Sequence, residues 1–289
     1  MLAAMECNYE TELTEFLYQH VSQKEYFIAW LPETLADISA LDKGGFILCI
    51  EDGKIVGCMG TYLSCEQKTA RLLGPVIRKE FFDQYIDSLY AQCLRSLPEE
   101  IAECRIAFLA DNQNCRKWCE KNQFELYNAE TTMVLNKARF AEQPKSQSVV
   151  IRPFERQDRE DLARIHPEGT FFTLDELIRS VSAKSCLLLA FAQSTGAGYV
   201  YYEQYADGKK GEISLLHVRT DYRGRGYGTM LLNRAIKDLL QKGAEEISIS
   251  VRVGNAAAHR LYERIGFEDG DTVYAYKKLF QNKQGFDRS

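Results

Sequence analysis

The chain has 289 residues, 45% hydrophobic and 27% charged, ordinary globular values that exclude a disordered chain, a collagen and a coiled-coil rod. At ~150 residues per domain the length predicts about two domains. The formal charge of −5 argues against a general nucleic-acid binder, and it is unevenly placed: residues 1–142 hold 14 Lys+Arg against 22 Asp+Glu, residues 143–289 hold 22 against 19.

An anionic ligand therefore belongs to the second half. No apolar run approaches the ~18 residues that span a bilayer, so no membrane partner is expected. The first fifteen residues meet Glu6, Glu10 and Glu12 early and do not read as a signal peptide. Eight of the nine cysteines lie in the first half, none in a C-x-x-C pair, and Cys49, Cys58 and Cys104 sit among apolar neighbours. That usage predicts buried, reduced thiols and a cytoplasmic protein. Cys115 and Cys119 could stand one turn apart on a helix, but no histidine is near, and no metal site is predicted.

In chain order, helical segments are expected at Glu10–Val21 and 32–41, then a hairpin of 46–50 and 54–63 around Asp52-Gly53, a strong hairpin signal. A further strand leads to an amphipathic helix at 81–97, a strand at 105–110, a short helix and a last strand at 131–135. The stretch 138–148 is polar, carries Pro144 and reads as a linker. The second half repeats the order: helices at 158–165 and 174–181, strands at 186–192 and 197–205, a strand, a helix at 226–240, a strand at 246–251, a short helix and a last strand. At an offset of 143, Asn112 falls on Asn255, Cys119 on Tyr262, Glu120 on Glu263 and Phe124 on Phe267. Two copies of one mixed α/β domain are expected, at 1–140 and 149–280.

Two stretches of the second half carry chemistry. Glu212-Ile-Ser-Leu-Leu-His-Val-Arg-Thr-Asp-Tyr-Arg-Gly-Arg-Gly-Tyr-Gly228 reads strand, turn, helix, with glycines at 224, 226 and 228 where the helix begins. First-turn N–H groups lack intrahelical partners and the helix dipole is positive there, which suits phosphate oxygens; Arg223 and Arg225 add charge. A glycine-rich turn with solvated arginines is the plainer alternative. Thr229 stands where a dinucleotide fingerprint needs its third glycine, and no Gly-Lys-Ser/Thr follows. The second stretch is Val253-Gly-Asn-Ala-Ala-Ala-His-Arg-Leu-Tyr-Glu-Arg-Ile-Gly-Phe267, with Asn255 as N-cap and Gly266 as the helix end. Ala258, Leu261, Tyr262 and Ile265 share its apolar face, so Tyr262 points inward, as a core tyrosine or a catalytic one.

Together these stretches resemble the GNAT superfamily of N-acyltransferases, over about residues 149–280. The family signature Gln/Arg-x-x-Gly-x-Gly/Ala stands here as Arg223-Gly-Arg-Gly226-Tyr-Gly228, and its later motif as Asn255, Ala258, Leu261-Tyr262-Glu263 and Gly266-Phe267. The resemblance implies a mixed, mostly antiparallel sheet flanked by helices, with a splayed fourth strand. It implies acetyl-CoA as cosubstrate: Leu216, His217 and Val218 along the pantetheine arm, the N–H groups of Gly224, Arg225, Gly226, Tyr227, Gly228 and Thr229 on the diphosphate, and Asn255 near the pantetheine. Tyr262 would protonate the departing thiolate. Glu212, eleven residues before Arg223, stands where some relatives carry a base; it is equally readable as an exposed strand-edge residue, with His217 or a water relay as substitutes. The acceptor is a small-molecule or peptide amine, with Phe171, Phe172, Tyr201 and Glu203 as candidate lining. A CoA-binding sensor without transfer is the alternative. The first half reads Leu73-Gly-Pro-Val-Ile-Arg-Lys-Glu-Phe-Phe-Asp83 at the equivalent turn. Its lost glycines, Glu80 and Asp83, bulky Phe81 and Phe82, and Cys119 in place of the phenol predict a degenerate copy without a cofactor site.

Overall fold

The computed structural model describes residues 2–4, 10–21, 45–64, 68–144, 149–167 and 172–280. The helix expected at 32–41, the linker residues 145–148 and Phe171 lie outside the described residues. By contacts the chain divides into two compact units, Met1–Glu130 with Asp271–Ser289, and Thr131–Gly270.

In unit 1, β1 (Leu2–Ala4) and α1 (Glu10–Val21) precede the hairpin β2 (Phe46–Glu51) and β3 (Lys54–Ser64). Then come β4 (Thr69–Ile77), a 3-10 turn (Lys79–Phe81), α2 (Phe82–Ser96), β5 (Glu103–Leu109) and α3 (Gln113–Lys121). β6 (Glu125–Asn136) crosses the division between units. Unit 2 continues with β7 (Val150–Pro153), α4 (Arg159–Ile165), α5 (Leu174–Ser180), β8 (Ser185–Ala192), β9 (Thr195–Gln204) and β10 (Lys210–Val218). It is completed by α6 (Tyr227–Gln241), β11 (Glu246–Arg252) and α7 (Ala256–Ile265), and β12 (Glu268–Leu279) runs back into unit 1.

The strand orders are the same. Unit 1 reads β1-β2-β3-β4-β5-β12 and unit 2 reads β7-β8-β9-β10-β11-β6. The expected division at 1–140 and 149–280 follows chain order, and the structure departs from it. The last strand of the first half lies beside β11, and Val273–Leu279 of the last strand pairs with β5. A strand's own residues do not name the neighbour it pairs with, so the sequence leaves open which sheet each one closes.

Each sheet is covered on both faces. In unit 2, α6 and α7 bury Leu231, Leu232, Ile236, Leu239, Tyr262 and Ile265 against one face. α4 and α5 bury Leu162, Ile165 and Leu177 against Tyr199 and Tyr201 on the other. Asp161 fixes α4 by accepting the Gly196 N–H at 3.1 Å. Asp158, whose carboxyl the Arg152 guanidinium holds below its usual range, ties the chain before α4 to β7 through two 2.6 Å bonds.

The short helices match in detail. Asn112 accepts from the Cys115 N–H at 3.1 Å and Asn255 from the Ala258 N–H at 3.2 Å, both as N-caps. Cys119 and Tyr262 are both buried, as are Phe124 and Phe267. α7 ends at Gly266, with φ +110°, where a Cβ would collide with the Arg139 carbonyl. Gly266→Ala is therefore expected to destabilise unit 2 by more than ~1 kcal/mol, read by denaturant unfolding. An unchanged midpoint would contradict the packing described here.

Candidate active site

β10 is antiparallel to β9 along its length, but parallel to β11 only from Lys210↔Glu246 to Ile213↔Ile249. The β9–β10 register then slips at Ser214, a β-bulge, and β10 continues to Val218 without a register partner on the β11 side. This is the splay expected from the resemblance. Backbone groups of Leu216, His217 and Val218 lie on the diverging segment. Leu216 and Val218 pack on the core beneath α6, while Leu215 packs on the opposite core with Tyr199 and Tyr201.

After β10 a 3-10 turn (Thr220–Tyr222) leads to the glycine turn. Gly224 has φ +74° and Gly226, the N-cap of α6, has φ +84°, a left-handed conformation that side chains disfavour. No side chain caps this helix end. A Cβ at Gly224 would meet nothing within 4 Å, and one at Gly228 only Val218 and Leu261 side-chain atoms at 3.7 and 3.8 Å. The turn thus presents backbone with open space beside it, a shape that fits a diphosphate. Tyr227 is buried beneath Tyr222, their rings edge to face at 5.6 Å. Arg225 stacks over Tyr222 at 5.6 Å, and Arg223 Nε donates to the Val218 carbonyl at 3.1 Å. Arg223 therefore ties the turn to the end of β10 as well as adding charge.

Leu261 brings α7 to the start of α6, and Tyr262 lies in the core that Leu216 and Val218 pack against. Burial pushes its phenol up to about 12, so it stays protonated, and among the described residues its hydroxyl has no hydrogen-bond partner. Asn255 spends its side-chain oxygen on the helix cap, leaving its NH2 group.

Glu212 lies on the face covered by α4 and α5, directly opposite Glu203 on β9. It accepts a hydrogen bond from the Tyr205 hydroxyl, and Glu203 accepts one from Ser214 Oγ at 3.2 Å. Phe172 meets the Tyr201 ring edge to face at 5.9 Å. His217 is stacked 6.2 Å from Tyr199, whose hydroxyl is 2.8 Å from His166 Nδ1. Burial, and after it the nearby Arg223 and His166, lower the His217 imidazole below its usual value.

Sequence reasoning missed Gly198. A Cβ there would stand 2.6 Å from the His217 carbonyl, so glycine is what lets β9 approach the end of β10. A lone glycine inside a strand pattern was the available signal. It also missed Tyr205, Ser214 and His166, whose roles depend on which residues face each other.

Unit 1 carries the same splay. β4 pairs β5 only from Thr69↔Glu103 to Arg71↔Arg105, and β3–β4 slips between Cys58 and Gly60. The turn differs more than expected. Arg78 and Arg219 each donate a backbone N–H at 2.9 Å to β3 or β9, and each opens a 3-10 turn. In unit 1 that turn runs straight into α2, whereas unit 2 inserts Arg223–Gly226 before α6; both helices have 15 residues. The first half thus lacks the segment itself. Phe82, expected to crowd the turn, is buried in the core as Tyr227 is. Phe81, Glu80 and Asp83 remain at the helix start. Burial raises the Cys115 and Cys119 thiols, and among the described residues no group of three or more His, Cys, Asp or Glu could hold a metal ion. No helix among the described residues is long and apolar enough to cross a membrane.

The profile of the Acetyltransferase (GNAT) family matches residues 151–267. An acetyltransferase of Yersinia pestis is 36% identical over 78 residues, 27% of this chain and 55% of its own length. One from Yersinia enterocolitica is 35% identical over the same shares. The chain thus spans about half the length of the curated relatives it matches. Two solved structures align over 96% of the chain. A GCN5-related N-acetyltransferase from Sphaerobacter thermophilus has a TM-score of 0.70 at 17% identity, covering 95% of that protein. A tandem GNAT protein from the clavulanic acid biosynthesis pathway has 0.66 at 14%, covering 98%. They show the tandem fold over both halves.

A carboxylate in the first turn of α6 is expected to raise the dissociation constant for acetyl-CoA by roughly a hundredfold in Gly228→Asp, by like-charge repulsion. Gly228→Ala, which meets only ordinary contacts, should bind as the parent does. Equal affinity of the parent and a folded Gly228→Asp protein in calorimetry would contradict the cradle.

Proposed function

From the match of residues 151–267 to the Acetyltransferase (GNAT) family, we propose that the chain transfers an acetyl group from acetyl-CoA to a primary amine by direct attack, in unit 2. The observation that carries this reading is the splay of β10 from β11 leading into an uncapped, glycine-opened helix start. Acetyl-CoA would supply a thioester carbonyl as electrophile. Backbone N–H groups of 224–229 with Arg225 would hold its diphosphate, and Leu216, His217 and Val218 would pair with the pantetheine arm, beside the Asn255 amide.

The remaining chemistry falls to side chains. The amine nitrogen bonds to the carbonyl carbon, the carbon–sulfur bond breaks, and sulfur leaves with the electron pair. Tyr262, a neutral phenol, donates its proton to that sulfur. Glu212 takes the proton that the attacking amine loses, and solvent returns a proton to Tyr262. Unit 1, with the splay but without the inserted turn, serves as a structural partner.

The test is incubation with acetyl-CoA and a panel of primary amines, following released thiol and product mass. Tyr262→Phe should slow transfer by ~10²-fold with unchanged acetyl-CoA affinity. An unchanged kcat, where chemistry limits turnover, would remove Tyr262 from the mechanism. Because burial holds the phenol up to about 12, no phenol ionisation should lower the rate near pH 10. A limb near pH 10 that vanishes in Tyr262→Phe would contradict that environment. Glu212→Gln should lower kcat with acetyl-CoA affinity unchanged; an unchanged kcat assigns the proton to a water relay.

A further inference from the structure

The register of β9 and β10 sets two carboxylates against each other. Glu203 and Glu212 are directly opposite on neighbouring strands, half-buried, on the face covered by α4 and α5. Like charges so placed repel, and cross-strand neighbours are ~5 Å apart. Among the described residues no lysine or arginine forms an ion pair with either. Lys210, on the same face, is engaged with Glu246 at 3.3 Å. What holds the two carboxylates is neutral: Ser214 Oγ on Glu203 and the Tyr205 hydroxyl on Glu212. Each hydroxyl orients a carboxylate without cancelling its charge.

A second observation points to a ligand at the same place. Tyr201 precedes Glu203 by two residues, hence shares its face, and is only 2% exposed. Its hydroxyl has no hydrogen-bond partner among the described residues. Its ring meets that of Phe172 edge to face at 5.9 Å. The pair also stands where β10 is about to leave β11, one residue before the last register pair at Ile213.

The other copy provides an internal control. By the same register Tyr62 and Arg71 stand opposite each other where unit 2 has Glu203 and Glu212. Gly60 stands in place of Tyr201, and the Phe46 ring fills that space, 2.8 Å from where a Cβ would be. The copy that lacks the inserted turn thus also lacks both carboxylates and the phenol. Carboxylates needed only to build the sheet would have no reason to follow the turn.

We infer that Glu203 is a specificity-determining residue that anchors a second ammonium group on the acceptor, so that the preferred acceptor class is a short aliphatic diamine or longer polyamine. This rests on the transfer reading above. Glu212 faces the reacting nitrogen and Glu203 the distal one, with the Tyr201 ring and hydroxyl beside it. The cross-strand spacing matches two nitrogens joined by a few methylenes.

The test compares putrescine with butylamine, which has the same carbon chain and one ammonium, in the parent and in Glu203→Gln. The parent should prefer putrescine by about tenfold in kcat/KM, the size expected of one hydrogen bond to a charged group. Glu203→Gln should lose that preference, read as the ratio of the two amines' kcat/KM within the one variant, chiefly through a raised KM for putrescine. Calorimetric titration of putrescine into the CoA-saturated protein gives a readout independent of turnover. Putrescine bound by the parent and lost in Glu203→Gln, with no amine acetylated, would sustain the anchor and sink the transfer reading. Acetylation of butylamine as fast as putrescine, or a preference that survives in Glu203→Gln, would overturn the anchor and leave transfer standing.

Discussion

Four register pairs hold β10 to β11, and after Ile213 the two strands separate. Inside a sheet that separation is costly, because strand N–H and C=O groups need partners. Several features hold it open. The bulge at Ser214 turns the strand, and Gly198 lets β9 follow it within contact of the His217 carbonyl. Leu216 and Val218 are pinned to the α6 core, and Arg223 bonds the Val218 carbonyl. The glycine turn, the start of α6 and the face bearing Glu203 and Glu212 all take their positions from this divergence.

The duplication separates fold from site. Unit 1 splays its strands at the same register and caps its short helix with the equivalent asparagine. It lacks the inserted Arg223–Gly226 turn, and Cys119 fills the position of Tyr262. A splayed sheet is thus a property of the chain's architecture, and the proposed chemistry depends on a few residues added to it.

Much of this was legible in the sequence because the signals were local. The glycines at 224, 226 and 228 marked an open helix start, Asn255 and Gly266 bounded their helix, and helical spacing placed Tyr262 inward. What was hidden depends on long-range pairing. β6 and β12 each take a neighbour far away in the chain, so the sequence did not say which sheet each closes. The missing turn in unit 1 read as substituted residues, because an ungapped comparison cannot show where a 3-10 turn ends. Glu203 and Glu212 became a facing pair only once register was known, since their separation in sequence is silent about it.

The central claim is that a single copy of the duplicated fold holds the cosubstrate. Calorimetric titration of the full chain with acetyl-CoA measures this directly. The account predicts saturation at one molecule per chain, with binding lost when Gly226 is replaced by Asp. Saturation at two per chain, or a single site that survives Gly226→Asp in a folded protein, would contradict it.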